Sequence, residues 1–352
     1  MFGASNFPLA FSVAGGDIAS ALAAGCPVIV KGHEAHPGTS EVVAKAVQAA
    51  LAAEGLPAGT FALLQGPGPV TGAELVRHPA IKAVGFTGST RAGRALYDLC
   101  AARPEPIPFY GELGSLNPVF LLPGALDARL EEIARCWAAS VTMGAGQFCT
   151  NPSLVILPLA QAEAFAEASL TALSNAPAQP MLTDSIAAAL THGTEAAADR
   201  PGVSVLRHGG ATGRDASPAI LACDAEIWLS DEVLREEVFG PTALIVRANP
   251  NEMVALAHAM PGQLTATLHL EPSDHHLARR LLPSLEQAAG RILFDGFPTG
   301  VAVSDAIVHG GPWPASTNLG RSSVGTLAVK RWQRAVCWQD SPDHLFRKGT
   351  AA

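Results

Sequence analysis

The sequence predicts an α/β fold organised around parallel sheets, and three observations predict it. Short apolar runs alternate with helical patterns along the chain, as parallel α/β units require. Hydrophobic residues make up 48% and charged residues 15% of the composition, which is far from that of a disordered chain. At 352 residues the chain exceeds the usual size of one hydrophobic core, so two domains are expected. The divisions fall at 1–113, 114–318 and 319–352. The formal net charge of −8, without a long basic block, excludes an electrostatic footprint for nucleic acid or anionic lipid. Small molecules are the expected partners.

In the first region, residues 17–24 read as a helix, 27–31 as a strand and 40–54 as an Ala/Val-rich helix. A strand at 61–65 precedes Gly66-Pro67-Gly68-Pro69-Val70-Thr71-Gly72 and a helix to Arg77. The spacing of those glycines misses the usual dinucleotide fingerprint, and glycines after a strand are as often turn punctuation. A strand at 83–86 leads into Thr87-Gly88-Ser89-Thr90, which opens a helix reaching about Ala101. The unsatisfied N–H groups of such a helix start suit a pyrophosphate, while the bland reading of Ser89 is an N-cap. The pattern is doubly wound.

The second region continues it. Strands are predicted at 117–122, 153–157, 203–206, 219–222, 242–246 and 292–294. Helices are predicted at 127–143, 160–174, 186–198 and 274–288. Residues 325–334 read as a helix and 335–338 as an apolar strand.

The six cysteines, Cys26, Cys100, Cys136, Cys149, Cys223 and Cys337, show neither a CxxC pair nor disulfide-like spacing, which points to a reducing compartment. No signal peptide and no apolar run of membrane-spanning length is visible, so the cytoplasm is the default. Cys149 differs from the other five because it sits in the Gly-rich turn Met143-Gly144-Ala145-Gly146-Gln147-Phe148-Cys149. Backbone N–H groups in such a turn can favour the thiolate, the reactive form. An isolated cysteine is nevertheless more often a small buried hydrophobe. Glu112, in Gly111-Glu112-Leu113-Gly114, adds a base, and Asn6, in Gly3-Ala4-Ser5-Asn6-Phe7-Pro8, adds an amide donor. The run His33-Glu34-Ala35-His36 lacks the spacing that would put two histidines on one helical face, and no metal is predicted.

These three motifs, in the order asparagine, glutamate, cysteine, resemble those of the NAD(P)-dependent aldehyde dehydrogenases. Phe86-Thr87-Gly88-Ser89-Thr90 and Glu236-Glu237-Val238-Phe239-Gly240-Pro241 extend the likeness over nearly all of the chain. Gly114-Ser115-Leu116-Asn117-Pro118, His36-Pro37-Gly38-Thr39-Ser40 and His309-Gly310-Gly311-Pro312-Trp313-Pro314-Ala315 are similar to the α-ketoglutaric semialdehyde (2,5-dioxopentanoate) dehydrogenases.

The resemblance implies a Rossmann-like cofactor domain, an α/β catalytic domain and a C-terminal segment that returns to an oligomer partner. The chain begins a few residues before Asn6, whereas family members carry a substantial preceding segment, so the cofactor domain is expected to be N-terminally truncated. By resemblance, Lys31 meets the adenosine ribose, Gly88 and Ser89 the phosphates, and Glu237 and Phe239 the nicotinamide end. Without it, Lys31 would be placed in solvent and Glu237 in an exposed loop. Glu34 could accept a hydrogen bond from a ribose 2′-OH but would repel a 2′-phosphate. NADP is favoured by the subgroup and NAD by Glu34, so NAD(P)+ is the expectation.

The implied chemistry is attack of the Cys149 thiolate on an aldehyde, with the oxyanion held by Asn6 and the Cys149 N–H, then hydride loss and hydrolysis of the thioester by water that Glu112 activates. The loops at 296–301 and 309–315 are expected to line the aldehyde pocket. Rival readings are an inactive remnant with a binding or assembly role, and an acyl hydrolase using the same cysteine without hydride transfer.

Overall fold

The computed structural model describes residues 1–5 and 9–342. Asn6 therefore lies outside the described residues. The chain first builds two parallel pairs: β1 (Val28–Lys31) with β2 (Phe61–Leu64), and β3 (Val84–Thr87) with β4 (Phe109–Glu112). Residues 1–3 join them. The Lys31 N–H donates to the Met1 carbonyl at 2.8 Å, and the Phe2 N–H to the Gly85 carbonyl at 3.1 Å. Helices α1 (Phe11–Ala14), α2 (Gly16–Ala23) and α3 (Pro37–Ala53) cover the β1–β2 pair. Helices α4 (Ala73–Arg77) and α5 (Thr90–Ala101) cover β3–β4.

The rest of the chain forms a larger layer structure. Its strands are β5 (Val119–Leu121), β6 (Leu154–Pro158), β7 (Gln179–Pro180), β8 (Ser204–Arg207), β9 (Gly210–Thr212), β10 (Asp215–Ser217), β11 (Ala219–Asp224), β12 (Thr242–Ala248), β13 (Gln263–His269) and β14 (Ala289–Phe294). The main sheet runs β14-β13-β5-β6-β12-β11-β8, parallel throughout except at the β8 edge. Strands β7, β10 and β9 form a small antiparallel sheet.

A sheet covered on both faces needs apolar residues at consecutive positions, and these strands supply them. Phe120, Ile156, Val246 and Leu268 face one core, with helices α9 (Ala225–Ser230), α10 (Pro250–Ala259) and α11 (His275–Ala288). Val119, Leu121, Val155 and Ile245 face the other, with α6 (Pro123–Thr142) and α7 (Leu159–Leu173). Each fully buried Leu, Ile or Phe contributes about 1.5–3 kcal/mol by leaving water, so this double core outweighs weak local signals.

Strand β13, which lies between β14 and β5, and helix α10 were not expected from the sequence, nor was the small antiparallel sheet. Strand β13 contains Thr265 and Thr267, fully buried, and Gln263 at 1% exposure. Its polar pattern hides a strand in which Gln263 and Thr265 bond inside the protein. The expected strand at 117–122 starts later because Asn117 has φ 50, a left-handed residue spent on a turn. At the C-terminus the expected α-helix is the 3₁₀ helix Thr326–Trp332, and residues 335–338 form no strand; Val336 is 58% exposed.

Before that helix the chain returns to the first unit. The Leu113 N–H donates to the Ala315 carbonyl at 2.8 Å, and the Thr317 N–H to the Gly111 carbonyl at 3.0 Å.

Candidate active site

Cys149 is set by backbone geometry. After α6 the chain takes three successive left-handed residues, Gly144 (φ 56), Ala145 (φ 57) and Gly146 (φ 65). A Cβ on Gly146 would come within 2.3 Å of the Gly240 backbone, so the turn seats directly on the loop carrying Glu237. Left-handed alanine costs free energy, and buried amides hold it there. Asn151 Nδ2 donates to the carbonyls of Gly146 at 3.0 Å and Gly240 at 2.9 Å. Asn117 Nδ2 donates to the carbonyls of Cys149 at 2.9 Å and Asn151 at 3.0 Å.

Glu112 ends β4 opposite Thr87, which ends β3, so the carboxylate stands at the carboxyl edge of a parallel pair. His309 Nε2 lies 3.0 Å from its Oε1, and Ser323 Oγ donates to its Oε2 at 2.8 Å. His309 Nε2 is also 3.7 Å from Cys149 Sγ. The donor atoms of Glu112, Cys149 and His309 all fall within 4.8 Å of one another. Burial would raise the Glu112 carboxyl, but His309 and Ser323 outweigh it and hold it well below the usual carboxylate range. The opposite holds for the thiol. Burial first, then Glu112 and Glu237, push Cys149 well above the free-thiol value.

The Glu237 side chain reaches Gly114 and Ser115: a Cβ on Gly114 would lie 2.9 Å from its Oε2, and the Ser115 N–H bonds to it. Burial pushes its carboxyl up to about 8, with Glu112 adding to the rise. Phe239 follows, half-buried on the same loop.

The remaining expected cofactor residues lie on the small strand pairs. Lys31 is 5% exposed, which overturns its placement in solvent on residue type alone; Nζ is 3.3 Å from Glu34 Oε1, and the Gly68 N–H also bonds to that oxygen. That N–H bond and Lys31 hold the Glu34 carboxyl below its usual range, with burial opposing. The Gly88 N–H donates to the Glu112 carbonyl at 3.1 Å. Ser89 caps α5, its Oγ accepting from the Ala92 N–H at 3.3 Å, so the bland expectation for this hydroxyl is realised.

The structure therefore brings together Cys149, Glu112 and Glu237, with Gly88 bonded to the back of Glu112, and keeps Lys31 with Glu34 as a separate cluster at the end of β1. His309 is the residue that sequence reasoning missed as an individual. It was seen only as the head of a loop, and no local spacing marks a histidine 160 positions from the cysteine it meets. Arg291 was missed as well. It donates to the Pro298 carbonyl at 3.0 Å, bracing the loop at 296–301, and lies within electrostatic reach of Cys149.

A thiol, a carboxylate and a helix start gather at the ends of parallel strands, and the comparisons give the chain that carries them a family. The chain belongs to the aldehyde dehydrogenase family, whose model matches residues 2–304. It is 53% identical over 353 residues to alpha-ketoglutaric semialdehyde dehydrogenase 2 of Azospirillum brasilense, covering 99% of this chain and 67% of that protein. It is 44% identical over 351 residues to alpha-ketoglutaric semialdehyde dehydrogenase of Acinetobacter baylyi, covering 98% and 66%. The chain thus spans about two thirds of the length of these relatives. The fold matches glyceraldehyde-3-phosphate dehydrogenase of Methanocaldococcus jannaschii, complexed with NADP, with a TM-score of 0.79 at 23% identity, covering 94% and 70%.

Proposed function

We propose that this chain carries the site of an NAD(P)+-dependent aldehyde dehydrogenase that oxidises 2,5-dioxopentanoate to 2-oxoglutarate through a thioester on Cys149. The observation that carries the reading is the meeting of Cys149 Sγ with the Glu112 carboxylate within 4.8 Å, at the carboxyl edge of a parallel strand pair. Identity of 53% and 44% to two proteins named for this substrate supports the choice of aldehyde.

The residues present fit a dinucleotide. Lys31 and Glu34 stand at the end of β1, where a ribose is expected, and α5 is a twelve-residue helix whose N-terminus faces the same edge as Glu112. Bound NAD(P)+ supplies the hydride acceptor. Glu34 supports NAD+, since its carboxylate, fixed by Lys31 and Gly68, would oppose a 2′-phosphate.

Cys149 gives its proton to Glu112, and the sulfur attacks the aldehyde carbon. The Cys149 N–H, and Asn6 by family resemblance, hold the oxyanion, each such donor contributing roughly 2.7–4 kcal/mol. After hydride departure Glu112, its proton released to solvent, deprotonates the water that cleaves the thioester.

Cytoplasmic location fits six cysteines without a disulfide among the described residues. A homo-oligomer is what the family resemblance of the C-terminal segment supports, since in related proteins that segment crosses to a neighbouring subunit.

Growth of NAD(P)H absorbance on adding 2,5-dioxopentanoate to the purified chain tests the function, with NAD+ and NADP+ in parallel. No aldehyde-dependent signal with either cofactor, from folded protein, sinks it. Light scattering on the same sample tests the oligomer, and a monomeric mass rejects it.

A further inference from the structure

We propose that His309 is a catalytic residue of this site: its Nε2–H, shared between Glu112 and Cys149, holds the sulfur as a thiolate once the thiol proton has passed to Glu112. The inference rests on the function proposed above, and it names a group that neither the sequence motifs nor the family resemblance assigns.

The tautomer follows from the surroundings. His309 is 5% exposed, and Nδ1 is buried with no partner among the described residues. A bare acceptor is less costly to leave unpaired than an N–H, so Nδ1 keeps its lone pair and Nε2 keeps the proton. Nε2 faces a carboxylate oxygen at 3.0 Å, which can only accept, and the sulfur at 3.7 Å. The ring is held in place from behind. The His309 N–H donates to Ser322 Oγ at 3.1 Å, and its carbonyl accepts from the Ser323 N–H at 2.8 Å. Ser323 Oγ in turn bonds Glu112 Oε2, so one segment fixes both the ring and the carboxylate.

The charged groups facing the thiol explain why it needs such a donor. Glu112 and Glu237 both disfavour an anion there, and among the described residues the cation in electrostatic reach is Arg291. The proposed step balances simply. The S–H bond breaks, an O–H bond forms on Glu112, and His309 keeps its own proton. A neutral carboxylic acid is a weaker acceptor than a carboxylate, so the Nε2–H leaves Glu112 for the sulfur as the charge moves there. When the sulfur forms its bond to carbon it loses that charge.

The test reads the thiol directly. Alkylation of Cys149 by iodoacetamide, followed on the Cys149 peptide by mass spectrometry across pH, needs neither cofactor nor aldehyde. His309→Leu, which removes the donor, is expected to slow alkylation at pH 8 by about tenfold and to move the profile to higher pH, the effect of losing about 1.4 kcal/mol. His309→Gln, whose amide N–H reaches the same place but cannot titrate, should stay within about threefold of the parent. An unchanged profile in folded His309→Leu overturns the proposal. A folded His309→Gln as slow as His309→Leu overturns it too, since the ring would then act as a base. If the parent chain alkylates as expected yet oxidises no aldehyde, the proposed function falls while the donor role stands.

Discussion

Three carboxyl and thiol groups share one small volume at the site, and their protonation sets its behaviour. Burial raises the Cys100 thiol to about 11 and the Cys223 thiol to about 12, which marks both as inert packing groups. Cys149 is raised as well, but it alone of the three meets a carboxylate and an imidazole that can take its proton and hold its charge. Cys149→Ala should abolish aldehyde oxidation, whereas Cys223→Ala should leave kcat within about threefold of the parent. Steady-state assay of both variants checks this ranking, and loss of turnover in folded Cys223→Ala would refute it.

Glu112→Gln should abolish the rapid burst of NAD(P)H, because the carboxylate takes the thiol proton before it activates water for deacylation, and should lower the steady-state rate by about 10²–10⁴-fold. Stopped-flow absorbance reads it. A burst of about one NAD(P)H per site, with cofactor binding intact, would confine Glu112 to deacylation and remove it from the first proton transfer.

Glu237 makes stability depend on pH. Its carboxyl lies near 8 in the folded chain against an ordinary value of 4.5, so folding favours the neutral form. That contribution is fully present below pH 4.5, is lost progressively as pH rises, and is gone above about 8. Glu237→Gln escapes this loss. Its melting temperature without cofactor should exceed the parent's by more at pH 8 than at pH 6, and equal differences at the two pH values would count against the raised carboxyl.

At the scale of elements, the strand that carries no chemistry holds the chemistry in place. Gln263, at the start of β13, accepts through Oε1 from the Leu116 N–H at 2.7 Å and the Asn117 N–H at 3.0 Å, with Ser115 Oγ also at 3.0 Å. Asn117 in turn bonds the Cys149 carbonyl, so the register of β13 reaches the nucleophile through two amides. Ser115 belongs to the same network, and its Oγ accepts from the Leu264 N–H at 3.0 Å. Each buried donor left without a partner costs about 1–3 kcal/mol. Gln263→Leu should therefore lower unfolding free energy by at least about 3 kcal/mol in urea denaturation, although the new side chain is more hydrophobic. A loss under about 1 kcal/mol would mean that water replaces the amide.

At the scale of the whole molecule, the last described turn returns to the first strands. Trp332 Nε1 donates to Ser20 Oγ at 2.8 Å, its ring packs edge-on to Tyr110 at 5.2 Å, and Arg331 pairs with Asp17. These contacts close a loop of more than three hundred residues with one aromatic and one buried ion pair. Trp332→Ala, at a half-buried position, should cost about 2 kcal/mol and release the segment that carries Ser323. Urea denaturation measures the first effect, and slower alkylation of Cys149 would report the second.

The sequence by itself determined the alternation of strands and helices, because periodicity and apolar runs are local signals that the double core then rewards. It also singled out Glu112 and Cys149, which the structure brings together, since their side-chain chemistry and turn glycines stand in contiguous stretches. Only the tertiary structure decided that Lys31 is buried against Glu34, that β13 enters the sheet between β14 and β5, and that His309 stands beside Glu112 and Cys149. The last two depend on pairings across 148 and 197 positions, Ser115 with Gln263 and His309 with Glu112. A buried polar group is stable only when distant partners satisfy it, and the identity of those partners is set by how the layers pack, not by the neighbours along the chain.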